Sequence, residues 1–220
     1  MRVRKMIGSL VLVMVMFLGT NNSVSAVELE LAPYVKGGTI AWDQLSGTGG
    51  HKSLVAGGLN VNVKFDSLGA GATLEKWWVA EGMDDDKGLI PKEGYNLLTD
   101  VKYFFKVNDN ILLYPYIGVG LEGWEKGKEW RDWKSVQFFN WTIGAGLENE
   151  RGYIKAGVTK PFFVSTQNGL EPKPRYGFSA ESGMKLKTFR IGLFYKYTGL
   201  EDPDAKMTQS GLFVAYSFNR

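Results

Sequence analysis

Residues Gln209 to Phe218 read Gln-Ser-Gly-Leu-Phe-Val-Ala-Tyr-Ser-Phe. Leu212, Val214, Tyr216 and Phe218 share one parity; Gly211, Phe213, Ala215 and Ser217 share the other. Side chains alternate between the two faces of an extended strand, so one face here is apolar throughout and ends in two aromatics. A soluble sandwich would alternate in the same way. The choice between a sandwich and a membrane-spanning barrel comes from the rest of the chain.

The period-two pattern recurs in ten segments, at 28–42, 52–65, 68–82, 94–107, 110–124, 135–148, 151–164, 176–187, 189–199 and 207–218. It is clearest in the fourth, where Leu97, Thr99, Val101, Tyr103, Phe105 and Val107 oppose Leu98, Asp100, Lys102, Phe104 and Lys106. After the even-numbered segments the breaks are tight: Asp66-Ser67, Asn108-Asp109, Asn149-Glu150 and Thr188. After the odd-numbered ones they are long and polar, at 43–51, 83–93, 125–134, 165–175 and 200–206. Strict alternation puts every long connection at one end of a meander, with the tight turns and both termini at the other. That layout predicts an all-β protein, a transmembrane up-and-down antiparallel β-barrel of ten strands. Eight strands with one hairpin outside is the alternative. Trp42, Trp77, Trp78, Tyr95, Trp124 and Tyr176 fall near the long connections, and Phe65, Phe105, Phe189 and Phe218 near the tight turns, as two interfacial girdles require.

Residues 1–26 carry Arg2, Arg4 and Lys5, then the apolar run Met6–Leu18, then Val24-Ser25-Ala26, the pattern of a cleaved signal peptide; residues 27–220 are left for the barrel. Of 26 basic and 23 acidic residues, the leader takes three basic and no acidic ones, leaving 23 of each. A neutral mature chain gives no support to nucleic-acid binding. With no cysteine, disulfide frameworks, thiol nucleophiles and lipidated cysteines are excluded. After residue 26 no apolar stretch is long enough for a helical span, so crossing a membrane requires closed strands.

Pro33-Tyr34-Val35-Lys36-Gly37-Gly38, Pro115-Tyr116-Ile117-Gly118-Val119-Gly120 and Trp141-Thr142-Ile143-Gly144-Ala145-Gly146 echo one another, each an aromatic followed within five residues by a glycine pair, as Gly-x-Gly in the last two. Together with the C-terminal strand, these motifs resemble small bacterial outer-membrane β-barrel proteins, the OmpA/OmpW-like group. The resemblance covers the whole mature chain. It implies export to the outer membrane of a Gram-negative bacterium and contact with outer-membrane lipid and lipopolysaccharide. It also implies recognition by the barrel-assembly machinery, with Gly211, Val214, Tyr216 and Phe218 as the assembly signal. A monomer without cofactor or metal is expected.

Glu30, Lys36, Lys64, Glu75, Asp100, Lys102, Lys106, Glu122, Glu148, Lys155, Glu181, Lys185, Lys187, Arg190 and Lys196 lie on the face opposite the apolar one, with Glu28, Asn60 and Asn62. Charges cannot face lipid cheaply, so these side chains are expected in the lumen. Near the tight turns, Lys64, Lys102, Lys106, Lys155, Lys185, Lys187 and Arg190 outnumber Glu28, Glu30, Asp100 and Glu148. A conducting lumen would on that count favour anions weakly. The functional expectation is a structural or narrow-channel, porin-like barrel. Alternatives are an adhesin-like barrel binding through its loops and a lipid A-modifying hydrolase. No catalytic constellation is recognisable: His51, near Ser53 and Asp43, is the one histidine and reads as a solvated loop residue. Asp84-Asp85-Asp86 reads as a solvated tip and not as a cation site.

Overall fold

A computed structural model describes residues 27–44, 50–79, 91–126, 135–166, 173–202 and 204–219. The leader and Asp84–Asp86 lie outside this described part, as do the side chains of Trp42 and Asp43. Ten strands run in meander order. They are β1 (Val27–Gln44), β2 (Gly50–Phe65), β3 (Leu68–Val79), β4 (Pro91–Tyr103, resuming as Phe105–Asn108), β5 (Ile111–Lys126), β6 (Ser135–Glu148), β7 (Gly152–Thr166), β8 (Gly177–Leu186), β9 (Phe189–Asp202) and β10 (Asp204–Tyr216, resuming as Phe218–Asn219). Each pairs antiparallel with its neighbours, and β10 pairs with β1 from Tyr34–Ala215 to Gln44–Ala205, which closes the sheet. Closure leaves no edge whose N–H and C=O groups would lack partners in lipid. All ten strands belong to the barrel, which sets aside the eight-stranded alternative.

The turns explain the reversals. Asp66 (φ 48°) and Lys187 (φ 52°) take left-handed backbone in two-residue turns. Asn108 and Asn149 accept backbone N–H bonds from Asn110 (2.9 Å) and from Arg151 and Gly152 (2.8 Å each), the side chain standing in for a backbone acceptor. At the other end, β9 and β10 continue pairing as far as Glu201–Asp204, and β1 and β2 as far as Trp42–Gly50. The long polar connections of the sequence reading are therefore partly strand. Hairpins can project beyond the lipid with polar residues on both faces, where no apolar alternation marks them.

Followed from Gly144, the pairing runs one way through Tyr116, Lys102, Gly69 and Lys64 to Glu28. The other way it runs through Gly157, Ser179, Lys196 and Gln209 to Ile40. The circuit returns to β1 twelve residues along, from Glu28 to Ile40. An offset larger than the strand number corresponds to a strand tilt of about 40°.

Val35, Val55, Leu74, Val101, Ile117, Ile143, Ile154, Met184, Leu193 and Leu212, one from each strand, project outward and are exposed. A continuous apolar belt of this size is a membrane-facing surface. At the tight-turn rim Tyr103 packs at a tilt against Phe105, and Phe189, Tyr216 and Phe218 form a chain of edge contacts. Toward the long connections, Trp78 and Tyr176 face out, joined by Phe162 and Phe163, which a bulge in β7 sends to the same side. Trp77 and Trp124 correct the girdle expectation: both are buried inside the barrel, 1% and 2% exposed. They share strand parity with Glu75 and Glu122, and parity outranks position along the strand.

Candidate functional site in the barrel lumen

The inward faces enclose a cavity of about 740 Å³. Its walls are thin because glycines take the rings of their neighbours. A Cβ on Gly58 would come within 2.4 Å of the Tyr34 ring, and one on Gly144 or Gly157 within 2.4 Å of the Tyr116 hydroxyl. Large inward side chains can thus lie along the wall instead of across the lumen.

The tight-turn mouth carries Glu28 with Lys64 (4.0 Å) and Glu30 with Arg190. Deeper, Lys102 bridges Asp100 (3.1 Å) and donates to Asn62 Oδ1 (2.8 Å), while Asn62 donates to Glu30 (3.1 Å). Lys185 meets Glu148 at 3.3 Å. Glu181 takes Lys155 (3.2 Å) and the Tyr153 hydroxyl (2.6 Å). Mid-barrel, Glu75 takes Lys36 (2.6 Å) and the Tyr34 hydroxyl (2.9 Å), with the Lys36 ammonium 5.0 Å from the Tyr34 and Phe194 ring centres. Furthest from the mouth, Lys196 crosses from β9 to Glu122 on β5 (2.8 Å), which also accepts the Trp124 indole N–H (2.8 Å).

Among the described residues, Glu28, Glu30, Glu75, Asp100, Glu122, Glu148 and Glu181 each have a cationic partner. Such pairing offsets the cost of removing charge from water. The basic excess counted in the sequence reduces to Lys187, exposed at the mouth, and Lys106, which is exposed and outside the cavity lining. Lys106 is the one charged candidate that the structure does not bring to the chamber. It keeps inward parity but sits beyond the break at Phe104, near the Asp109 turn.

Beyond Lys196 and Glu122 the interior changes character. Ile40, Leu54, Trp77, Trp124, Val136, Phe138 and Met207, from β1, β2, β3, β5, β6 and β10, pack into one apolar cluster with Val79 and Val164 against it. Ile40, Trp124, Val136, Phe138 and Met207 are essentially inaccessible and do not line the cavity, which ends beneath them. Sequence reasoning missed this layer. Its members have inward parity near the long-connection ends, and that was the available signal.

Gly211 lies opposite Gly38 in the closing seam, where a Cβ on it would meet the Gly37 carbonyl oxygen at 2.2 Å. Val214 and Phe218 face outward and exposed, and Tyr216 is half-buried between Phe189 and Phe218. His51 stands on β2 and not in a loop; it and Ser53 are exposed on the outward parity shared with Val55.

No family model matches the chain, and no curated protein matches it. Among solved structures, it is similar to Ail, the attachment invasion locus protein of Yersinia pestis, at 12% identity and TM-score 0.37, covering 89% of this chain and 100% of that one. It is similar to Neisserial surface protein A at 10% identity and TM-score 0.37, covering 88% and 99%. It is also similar to the transport unit of the autotransporter AIDA-I from Escherichia coli at 10% identity and TM-score 0.44, covering 91% and 93%. The barrel assignment rests on the strand register itself.

Proposed function

We propose that the protein is a structural outer-membrane barrel whose lumen is a chamber open on the tight-turn side and shut on the other. The packed apolar layer carries this reading. A pore needs a continuous watery path, and a hydrophobic constriction interrupts one by excluding water. The apolar belt on all ten strands supports residence in a bilayer. Placing the tight turns on the periplasmic side follows the usual arrangement of outer-membrane barrels, so the chamber faces the periplasm. In this reading the belt meets lipid and lipopolysaccharide around a monomer, and the β10 strand serves the assembly machinery. His51 has no catalytic part.

Reconstitution in a planar bilayer tests the proposal. A silent bilayer, with insertion verified by protease protection, is the expected result. Stable single-channel steps would sink the closed-chamber reading and restore the narrow pore.

A further inference from the structure

We infer that the closed end of the chamber binds a neutral, polyhydroxylated solute of the size of a mono- or disaccharide. The inference rests on the reading that the lumen is shut at the long-connection end.

Three polar atoms carry it. Trp77 Nε1, Asn140 Oδ1 and Gln209 Nε2 are buried and have no hydrogen-bond partner. Their residues are 1%, 5% and 3% exposed, and all three line the chamber. They come from β3, β6 and β10, spaced round the wall. Asn140 and Gln209 are the next inward residues below Phe138 and Met207 on their own strands, and Trp77, itself at the lower face of the apolar cluster, is the next below Val79, which packs against that cluster. They therefore converge where the cavity ends. Buried donors and acceptors are rarely left unmatched. Here the space beside them is a chamber of about 740 Å³, within the roughly 300–1,000 Å³ range of small-molecule sites.

The chemistry selects the solute. Two orphan donors and one orphan acceptor suit hydroxyl groups, which both donate and accept. An anion would meet Glu122 and Glu75, and a cation would meet Lys196 and Lys36, all of them already matched. A neutral molecule leaves those pairs undisturbed. Trp77, Phe194, Phe213 and Tyr34 give the chamber aromatic walls for the apolar faces of a sugar ring. The Trp77 ring lies against Gly94, where a Cβ would stand 2.2 Å from Cζ2, so a side chain there would displace it. Access is through the tight-turn mouth.

The test is isothermal titration of the full-length barrel in an amine-oxide detergent, which carries no sugar headgroup, using glucose, maltose and glucose 6-phosphate as probes. Saturable binding of glucose or maltose is expected, with the phosphate ester about tenfold weaker or worse. Trp77→Phe keeps the ring and removes the donor, and Gln209→Leu removes the amide. Each should weaken binding about tenfold, while both variants keep heat-modifiable gel mobility. The inference falls if neither neutral sugar saturates, if binding is undiminished in both variants, or if the phosphate ester binds as tightly as glucose. Bilayer conductance would instead sink the closed-chamber reading, and sugar binding is measured independently of it.

Discussion

Toward the tight turns, ten strands surround open space lined by Arg190–Glu30, Lys185–Glu148 and Lys155–Glu181 pairs. Toward the long connections, the same wall is filled by Ile40, Trp124, Val136, Phe138 and Met207. Outside, the packed end mixes exposed Ser53, Lys76, Glu125, Gln137 and Lys206 with Val55 and Trp78, whereas the belt below it is apolar. The sharper difference is on the inner face. Apolar side chains gain from contact with one another and exclude water, whereas ion pairs and amides need one another's geometry and tolerate space between them. One barrel can therefore be a packed core at one end and a vessel at the other.

Both ends depend on a closed wall, and the largest effect should follow from breaking it. Gly211→Asp drives a side chain into the Gly37 carbonyl at the β1–β10 seam; loss of the heat-modifiable folded species is expected, and normal mobility would overturn the closure argument. Next comes the packed end. Phe138→Ala removes a fully buried ring whose centre lies 4.7 Å from that of Trp124, the two rings tilted to each other. It should lower unfolding stability in urea by about 3–5 kcal/mol, and a loss well under 1 kcal/mol would mean the layer is not packed. In the chamber, Glu75→Gln keeps shape while cancelling the charge that holds Lys36 and accepts from Tyr34. A loss of about 1.5–3 kcal/mol is expected by the same urea titration, and an unchanged midpoint would show the pair to be dispensable. The smallest change is at the rim. Glu28 is largely exposed and 4.0 Å from Lys64, so Glu28→Ala should shift stability by less than about 1 kcal/mol. A larger shift would extend the tightly coupled network to the mouth.

Much of the wall is legible in the sequence. Leu97, Thr99, Val101, Tyr103 and Phe105 announce an outward face because lipid demands apolar side chains on every second residue, and Asp100 and Lys102 must then turn inward. The difficulty came where both faces are apolar. At Trp77-Trp78 one ring goes in and one goes out, and only continuing the phase from Glu75 separates them. Which inward residues share a level was hidden more deeply. Glu122 on β5 meets Lys196 on β9 because the register climbs twelve residues per circuit, and a sequence read strand by strand does not contain that offset.

The chain alone determined the meander, the closed antiparallel sheet and the inward turn of its charges, since alternation and turn chemistry are local and the bilayer penalises every other arrangement. Tertiary structure decided the partner of each carboxylate, the apolar layer that shuts one end and the three unmatched polar groups beneath it. Those are contacts across the lumen. They depend on strand tilt and on the meeting of residues far apart in sequence, and no local pattern encodes them.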